Sequence, residues 1–174
     1  EADARRRGAT VLGEFLGSGY VPEALGVLDL RPDGDGLSRA IELALADAGV
    51  PARSVGMIVA HGNGTRASDA SEALALRRVF GDDPPPITAF KWSFGHLIAA
   101  SGVVDLALAL NCLRQRIVPG IPTLRKIDPE LPSLPVSAAA QSPRGDTALV
   151  LCRGFGGMNV ALLVRAAPVA PTAE

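Results

Sequence analysis

The sequence predicts an α/β fold on a mostly parallel or mixed sheet, and three observations predict it. Short apolar runs of strand length alternate with segments of helical period, the order that produces parallel crossovers. The run at residues 55–60 is apolar at nearly every position, as strands covered on both faces are. The 174 residues, 48% of them hydrophobic, suffice for one domain that buries roughly two thirds of its unfolded surface.

Taken in order, residues 9–16 read as a strand ending at Gly17-Ser18-Gly19, and residues 37–48 as a helix. The turn residues Pro32-Asp33-Gly34-Asp35-Gly36 open that helix and Gly49 closes it. The strand at 55–60 delivers His61 at its carboxyl end. Ser68 or Asp69 caps a helix running from Ala70 to Phe80, and Gly81 stops it. Pro84-Pro85-Pro86 forces an extended entry into a strand at 87–90. Residues 96–117 form a helix apolar nearly all round, hence a central buried element, ended by Pro119-Gly120-Ile121-Pro122. Residues 123–143 are proline-rich and irregular. Strands at 147–152 and 159–164 flank Arg153-Gly154-Phe155-Gly156-Gly157-Met158. The domain is expected over residues 1–165, with 166–174 a frayed, disordered tail. No internal repeat and no second core divides it.

Charge and cysteine usage narrow the function. The 17 basic and 18 acidic residues are interspersed and the net charge is -1, so no field favours nucleic acid or an anionic membrane. The apolar stretch at 97–110 falls short of the ~20 residues that cross a bilayer, and Asp105 interrupts it. Cys112 and Cys152 lie far apart in apolar runs, without metal-ligand spacing, which fits a reduced, cytoplasmic protein and no metal site. The amino-terminal residues carry charges but no apolar segment with a cleavage site, so no secretory signal is read there. The chain does not start with Met, and a processed product, a trimmed chain or a piece of something longer are all open.

His61 and His96 are the only histidines. Each sits in a short glycine-bearing turn just after a predicted strand, in Ala60-His61-Gly62-Asn63-Gly64-Thr65 and Lys91-Trp92-Ser93-Phe94-Gly95-His96. In an open α/β sheet the groups that follow strands converge at one edge, and imidazole serves as acid, base or hydrogen-bond donor near neutral pH. One shared site is expected. Cys112, among helical aliphatics, reads as packing. Nothing near Cys152 in sequence supplies a base to lower its pKa.

Val59-Ala60-His61-Gly62-Asn63-Gly64-Thr65 with Asp69 and Glu72, Val79-Phe80-Gly81, the segment from Lys91 to His96, Ala99-Ala100-Ser101-Gly102, Val118-Pro119-Gly120-Ile121-Pro122-Thr123 and Gly154-Phe155-Gly156-Gly157 occur in this order. Together they resemble the carboxyl-terminal half of the β-ketoacyl-acyl-carrier-protein synthases, the condensing enzymes of fatty acid and polyketide assembly. The resemblance spans nearly the whole chain. It implies a thiolase-like fold whose two βαβαβ-type halves pack about a pseudo-two-fold axis, this chain being the second half, with a mixed sheet and a central helix. The nucleophilic cysteine belongs to the first half, in a Thr-Ala-Cys-type turn that this sequence does not contain.

The implied activity is that of a type II β-ketoacyl synthase: decarboxylative Claisen condensation of an acyl thioester with a malonyl group carried on acyl carrier protein. By the same resemblance His61, His96 and Lys91 are catalytic, the histidines as neutral donors to the thioester oxygen and Lys91 paired with Glu72. Asn63 and Thr65 would bind the pantetheine arm, Asn63 standing where the family more often has Thr. Phe155 would gate the pocket, with Gly154 and Gly156 supporting its turn. Met158 also replaces a usual Thr. No cofactor is implied beyond the carrier's phosphopantetheine. The implied partners are the acyl carrier protein, an amino-terminal half bearing the cysteine, and a second subunit in a homo- or heterodimer. The alternative is a non-catalytic partner of the chain-length-factor kind, against which the retained His61, Lys91 and His96 speak. Thiolase chemistry on free coenzyme A is disfavoured because thiolases carry a histidine and a second cysteine in this half.

Overall fold

The computed structural model describes residues 2–168. In chain order these form α1 (Ala2–Arg6), β1 (Gly13–Pro22), α2 (Asp35–Ala48), β2 (Met57–Val59), α3 (Arg66–Phe80), β3 (Ile87–Thr88), α4 (Lys91–Phe94), α5 (Ser101–Gln115), β4 (Thr147–Gly154) and β5 (Met158–Ala166). The strands make one mixed sheet of order β1-β5-β4-β2-β3. β2 lies parallel to both β3 and β4, while β5 runs antiparallel to β4 and β1.

Both faces of the sheet are covered, which explains the unbroken apolar character of its middle strands. Ile58, Leu149, Leu151 and Leu163 pack with Leu37, Ile41 and Leu76 on the α2–α3 side. Met57, Val59, Ala148, Val150 and Val164 pack with Ala109, Cys112 and Leu113 of α5 on the other. Successive residues of β2 and β4 thus serve opposite cores, the period-2 alternation of a pleated strand.

Several expectations shift. The first strand is not residues 9–16 but Gly13–Pro22, with an irregularity between Phe15 and Gly17. Gly17 and Gly19 lie inside it because α2 rests directly on them. A Cβ at Gly17 would come within 2.6 Å of the Ala48 nitrogen, and one at Gly19 would collide with the Ala40 carbonyl. Glycine there serves close packing, not chain reversal. The cap of α3 falls at Thr65, earlier than Ser68 or Asp69; the Asp69 carboxylate instead accepts the Gly64 N–H at 3.3 Å.

The helix expected over 96–117 divides. Ile98–Ala100 form a 3-10 turn, with Ile98 at φ 54, and α5 starts only at Ser101. Its buried residues are Ser101, Asp105, Ala109, Cys112 and Leu113, a single stripe against β4 and β5, while Val103 is 72% exposed. The all-round apolar composition therefore exceeds what this chain covers. By length and composition Ile98–Gln115 also meets the minimum for a membrane span. Its packing on the sheet and its ion-paired Asp105 are those of a core helix. Ala166, placed at the start of the expected tail, closes β5; residues 169–174 of that tail lie outside the described residues.

Candidate active site

The parallel strands β2, β3 and β4 end at one edge of the sheet, and the chemistry-bearing side chains follow them. His61 comes two residues after β2, Lys91 three after β3, and Arg153 and Gly154 close β4. The His61 and His96 rings meet edge to face, with centroids 5.3 Å apart and planes at 73°. The two histidines, Asn63, Thr65, Cys152 and Phe155 line one cleft of about 620 Å³. A second cleft, about 570 Å³, opens on the other side of the Gly62-Asn63-Gly64 turn. It borders Glu72 and Lys91 and shares Asn63 and His96 with the first.

His61 is 2% exposed and held from both sides. Its backbone N–H donates to Glu72 Oε1 at 2.8 Å and the Gly62 N–H donates to Glu72 Oε2 at 2.9 Å. Its Nδ1 accepts the Arg153 backbone N–H at 3.3 Å. Burial first, then the positive charge of Lys91, the second histidine and Arg153, depress its pKa to about 3. The ring is therefore neutral at physiological pH, and with Nδ1 occupied as an acceptor the hydrogen-bond pattern assigns the proton to Nε2.

His96 is exposed and set by a local loop. Its Nδ1 accepts the Ile98 N–H at 2.9 Å and lies 3.2 Å from the Ser101 hydroxyl, which itself accepts the Leu97 N–H at 3.0 Å. The left-handed φ of Ile98, costly for a β-branched residue, belongs to the turn that aims this amide at the ring. In its neutral form His96 likewise carries its proton on Nε2.

Lys91 does not pair with Glu72, as the resemblance implied. Its Nζ donates to Asp105 Oδ2 at 2.9 Å, the two side chains being 4% and 1% exposed. Lys91 opens α4 and Asp105 sits just over one turn into α5, so the bridge ties those elements together. Glu72, on α3, faces the two amides that leave β2 and satisfies those instead. Both its oxygens accept N–H bonds, the pattern of an ionised carboxylate; burial raises its pKa, opposed by these bonds and by Arg153. Asp105 Oδ1 is buried with no partner among the described residues.

Asn63 and Thr65 form a local turn: Asn63 Oδ1 accepts both the Thr65 N–H and the Thr65 hydroxyl, each at 2.9 Å. Phe155, 64% exposed, stands over the first cleft at the tip of the β4–β5 hairpin. Gly156 and Gly157 there take φ of 77 and 69, open only to glycine at low cost. The Gly156 N–H is anchored to the Val27 carbonyl at 2.8 Å. Cys152 reaches the same cleft, but burial raises its thiol pKa, so it is held as the weakly nucleophilic thiol. Cys112 is buried in the core, its pKa pushed up to about 11.

Sequence reasoning missed Arg153, Asp105 and Ser101. The signals were present as a cation closing an apolar strand and an acid inside an apolar helix, since ionisable residues in such places are normally paired.

This strand-edge constellation on a mixed, doubly covered sheet is that of a thiolase-like domain. Residues 12–125 match the β-ketoacyl synthase carboxyl-terminal domain, and the chain belongs to that family. It is 39% identical over 166 residues to the tetracenomycin polyketide synthase ketoacyl synthase beta subunit of Streptomyces glaucescens, covering 92% of this chain and 38% of that protein. It is 31% identical over 171 residues to the chloroplastic 3-oxoacyl-[acyl-carrier-protein] synthase II of Arabidopsis thaliana, covering 92% of this chain and 30% of that one. Among solved structures it resembles the ishigamide ketosynthase/chain length factor, with TM-score 0.87, 32% identity, and 96% of this chain on 41% of that chain. A type II polyketide ketosynthase bound to its acyl-carrier protein aligns with TM-score 0.88 and 29% identity, over 95% of this chain and 41% of that one. The chain thus spans about two fifths or less of the length of these relatives.

Proposed function

We propose that this chain supplies the oxyanion-stabilising half of a type II β-ketoacyl synthase that condenses an acyl thioester with malonyl carried on an acyl carrier protein. The nucleophilic cysteine comes from an amino-terminal half. The observation that carries this reading is the facing histidine pair, each Nδ1 already accepting a backbone amide. That leaves two Nε2–H donors at one cleft.

In the condensation, the malonyl carboxylate leaves as CO₂ and its bonding pair becomes the thioester enolate. The enolate carbon attacks the acyl carbonyl, forming the new C–C bond, and the tetrahedral intermediate expels the cysteine thiolate. Negative charge gathers on thioester oxygens. Two fixed neutral donors in a partly closed cleft stabilise that charge more than the ground-state carbonyl. A cationic imidazole at His61 would need an expensive protonation in a site already crowded by Lys91 and Arg153, which suits the neutral role. Asn63 and Thr65 would meet the pantetheine arm, and Phe155 would shield the cleft.

The test uses the whole protein that carries this segment. His61→Ala is expected to slow condensation roughly 10²–10³-fold, and the 174-residue chain by itself to show none until joined with its cysteine-bearing half. An unchanged rate in the variant removes His61 from the reaction, and malonyl-carrier turnover by the isolated chain removes the need for the other half. The second reading, a chain-length-factor-like partner, draws on relatives named as a beta subunit and as a ketosynthase/chain length factor. Cysteine in the nucleophile turn supports the enzyme; glutamine there supports the partner.

A further inference from the structure

We propose that Arg153 is a positioning residue for His61, locking together the two elements that hold the imidazole from opposite sides. Its consequence for the rate rests on the reading of His61 as an Nε2–H donor. The main chain of His61 is held from α3, through the two bonds to Glu72, and its ring from β4, through the Arg153 amide. Those elements come from distant parts of the sequence, and a donor aimed to within a fraction of an ångström requires that they not slide.

The Arg153 side chain closes that frame. Its Nη1 donates to the Ser68 carbonyl at 3.2 Å and its Nη2 to the Ser71 hydroxyl at 3.3 Å, both on α3, Ser71 being the residue before Glu72. Its Nε donates to Asn159 Oδ1 at 3.0 Å on β5. The Arg153 side chain is 6% exposed, and its charge is balanced at 3.8 Å by the buried Glu23 carboxylate. One planar fork thus fastens α3, β4 and β5 to one another, a task that a lysine point charge cannot perform.

Its charge acts in the same direction as its geometry. The ionisable groups around the ring are His96 from the loop before α5, Lys91 from α4 with its partner Asp105 from α5, Glu72 and Asp69 from α3, and Cys152 and Arg153 from β4. Arg153 disfavours the imidazolium of His61 and favours the carboxylate of Glu72. Those are the two protonation states in which the ring donates and its backbone is clamped.

The experiment compares the whole protein with Arg153→Met and Arg153→Lys, reading kcat, KM, the acid limb of the condensation pH profile, and the ¹⁵N imidazole shifts of His61 without substrate. In the unaltered protein His61 should show an unprotonated Nδ1 and a protonated Nε2. Arg153→Met should lower kcat about tenfold with little change in KM, and move the His61 titration and the acid limb to higher pH. Arg153→Lys should restore the pH behaviour but not the full kcat. A folded Arg153→Met protein with unaltered kcat and His61 titration overturns the proposal, as does a protonated Nδ1 in the unaltered protein. Should Arg153→Met not fold, Arg153→Lys decides: reduced kcat with an unmoved acid limb supports it, unaltered kcat overturns it. If His61→Ala leaves condensation intact while Arg153→Met still moves the His61 titration, the donor reading falls and the positioning stands.

Discussion

His61 and His96 face each other across 5.3 Å, yet the chain builds them in opposite ways. His61 is buried, reached by bonds from residues 11 and 92 positions away, and its neutrality follows from burial. His96 is exposed, and its ring bonds lie within five residues of it. One donor is fixed by the fold of this chain, the other by a short turn whose open side this chain does not cover. Two like side chains at one cleft can therefore carry very different shares of the molecule's stability.

The largest effect is expected at the buried Lys91–Asp105 bridge. Asp105→Leu strands the Lys91 ammonium in the core, and breaking a buried pair in this way is expected to cost roughly 3–5 kcal/mol. Lys91→Met combined with Asp105→Leu should recover much of that loss. Denaturant unfolding of the three variants of the whole protein checks it; a double variant as weak as the single one would show that the bridge contributes more than charge balance.

Next, His61→Ala and His96→Ala should part in stability while agreeing in lost condensation. The former leaves the buried Arg153 amide unpaired and should lose about 1–3 kcal/mol, the latter should stay within about 0.5 kcal/mol. Equal unfolding midpoints would erase the distinction drawn between the two sites.

A further difference between the two rings is expected in pH. The folded pKa of His61, about 3, lies below the ordinary value of about 6.5, so between these values the unfolded chain binds a proton that the folded one refuses. Stability contributed by this residue is complete above about pH 6.5 and falls as pH drops toward 3, by at most about 1.4 kcal/mol per pH unit. His61→Phe should flatten that slope. Urea midpoints of the variant and of the unaltered protein, measured across pH 4 to 7, check it.

Much of the architecture was legible because its signals are local. The apolar run ending at Ala60, the glycine stops after α2 and α3, and the paired strands around Gly154-Phe155-Gly156-Gly157 depend on period and turn chemistry within a few residues. What sequence reading misjudged depends on partners elsewhere. Gly17 and Gly19 resemble a turn until α2 is seen resting on them. Lys91 has a carboxylate choice between Glu72 and Asp105 that only the placement of α5 resolves. Arg153 has no sequence neighbour that explains it, since its guanidinium acts on α3 and β5.

Residue order alone was enough to read the family, most of the succession of strands and helices, and that two imidazoles and a phenylalanine would follow strands ending at one sheet edge. It took the packed chain to show which carboxylate neutralises Lys91, which nitrogen of each imidazole accepts an amide, and that the Arg153 guanidinium bonds to both α3 and β5. The difference is one of range. Backbone period and glycine freedom act within a turn or two, whereas protonation and aim are set by burial and by dipoles from segments the fold alone brings within 3 or 4 Å.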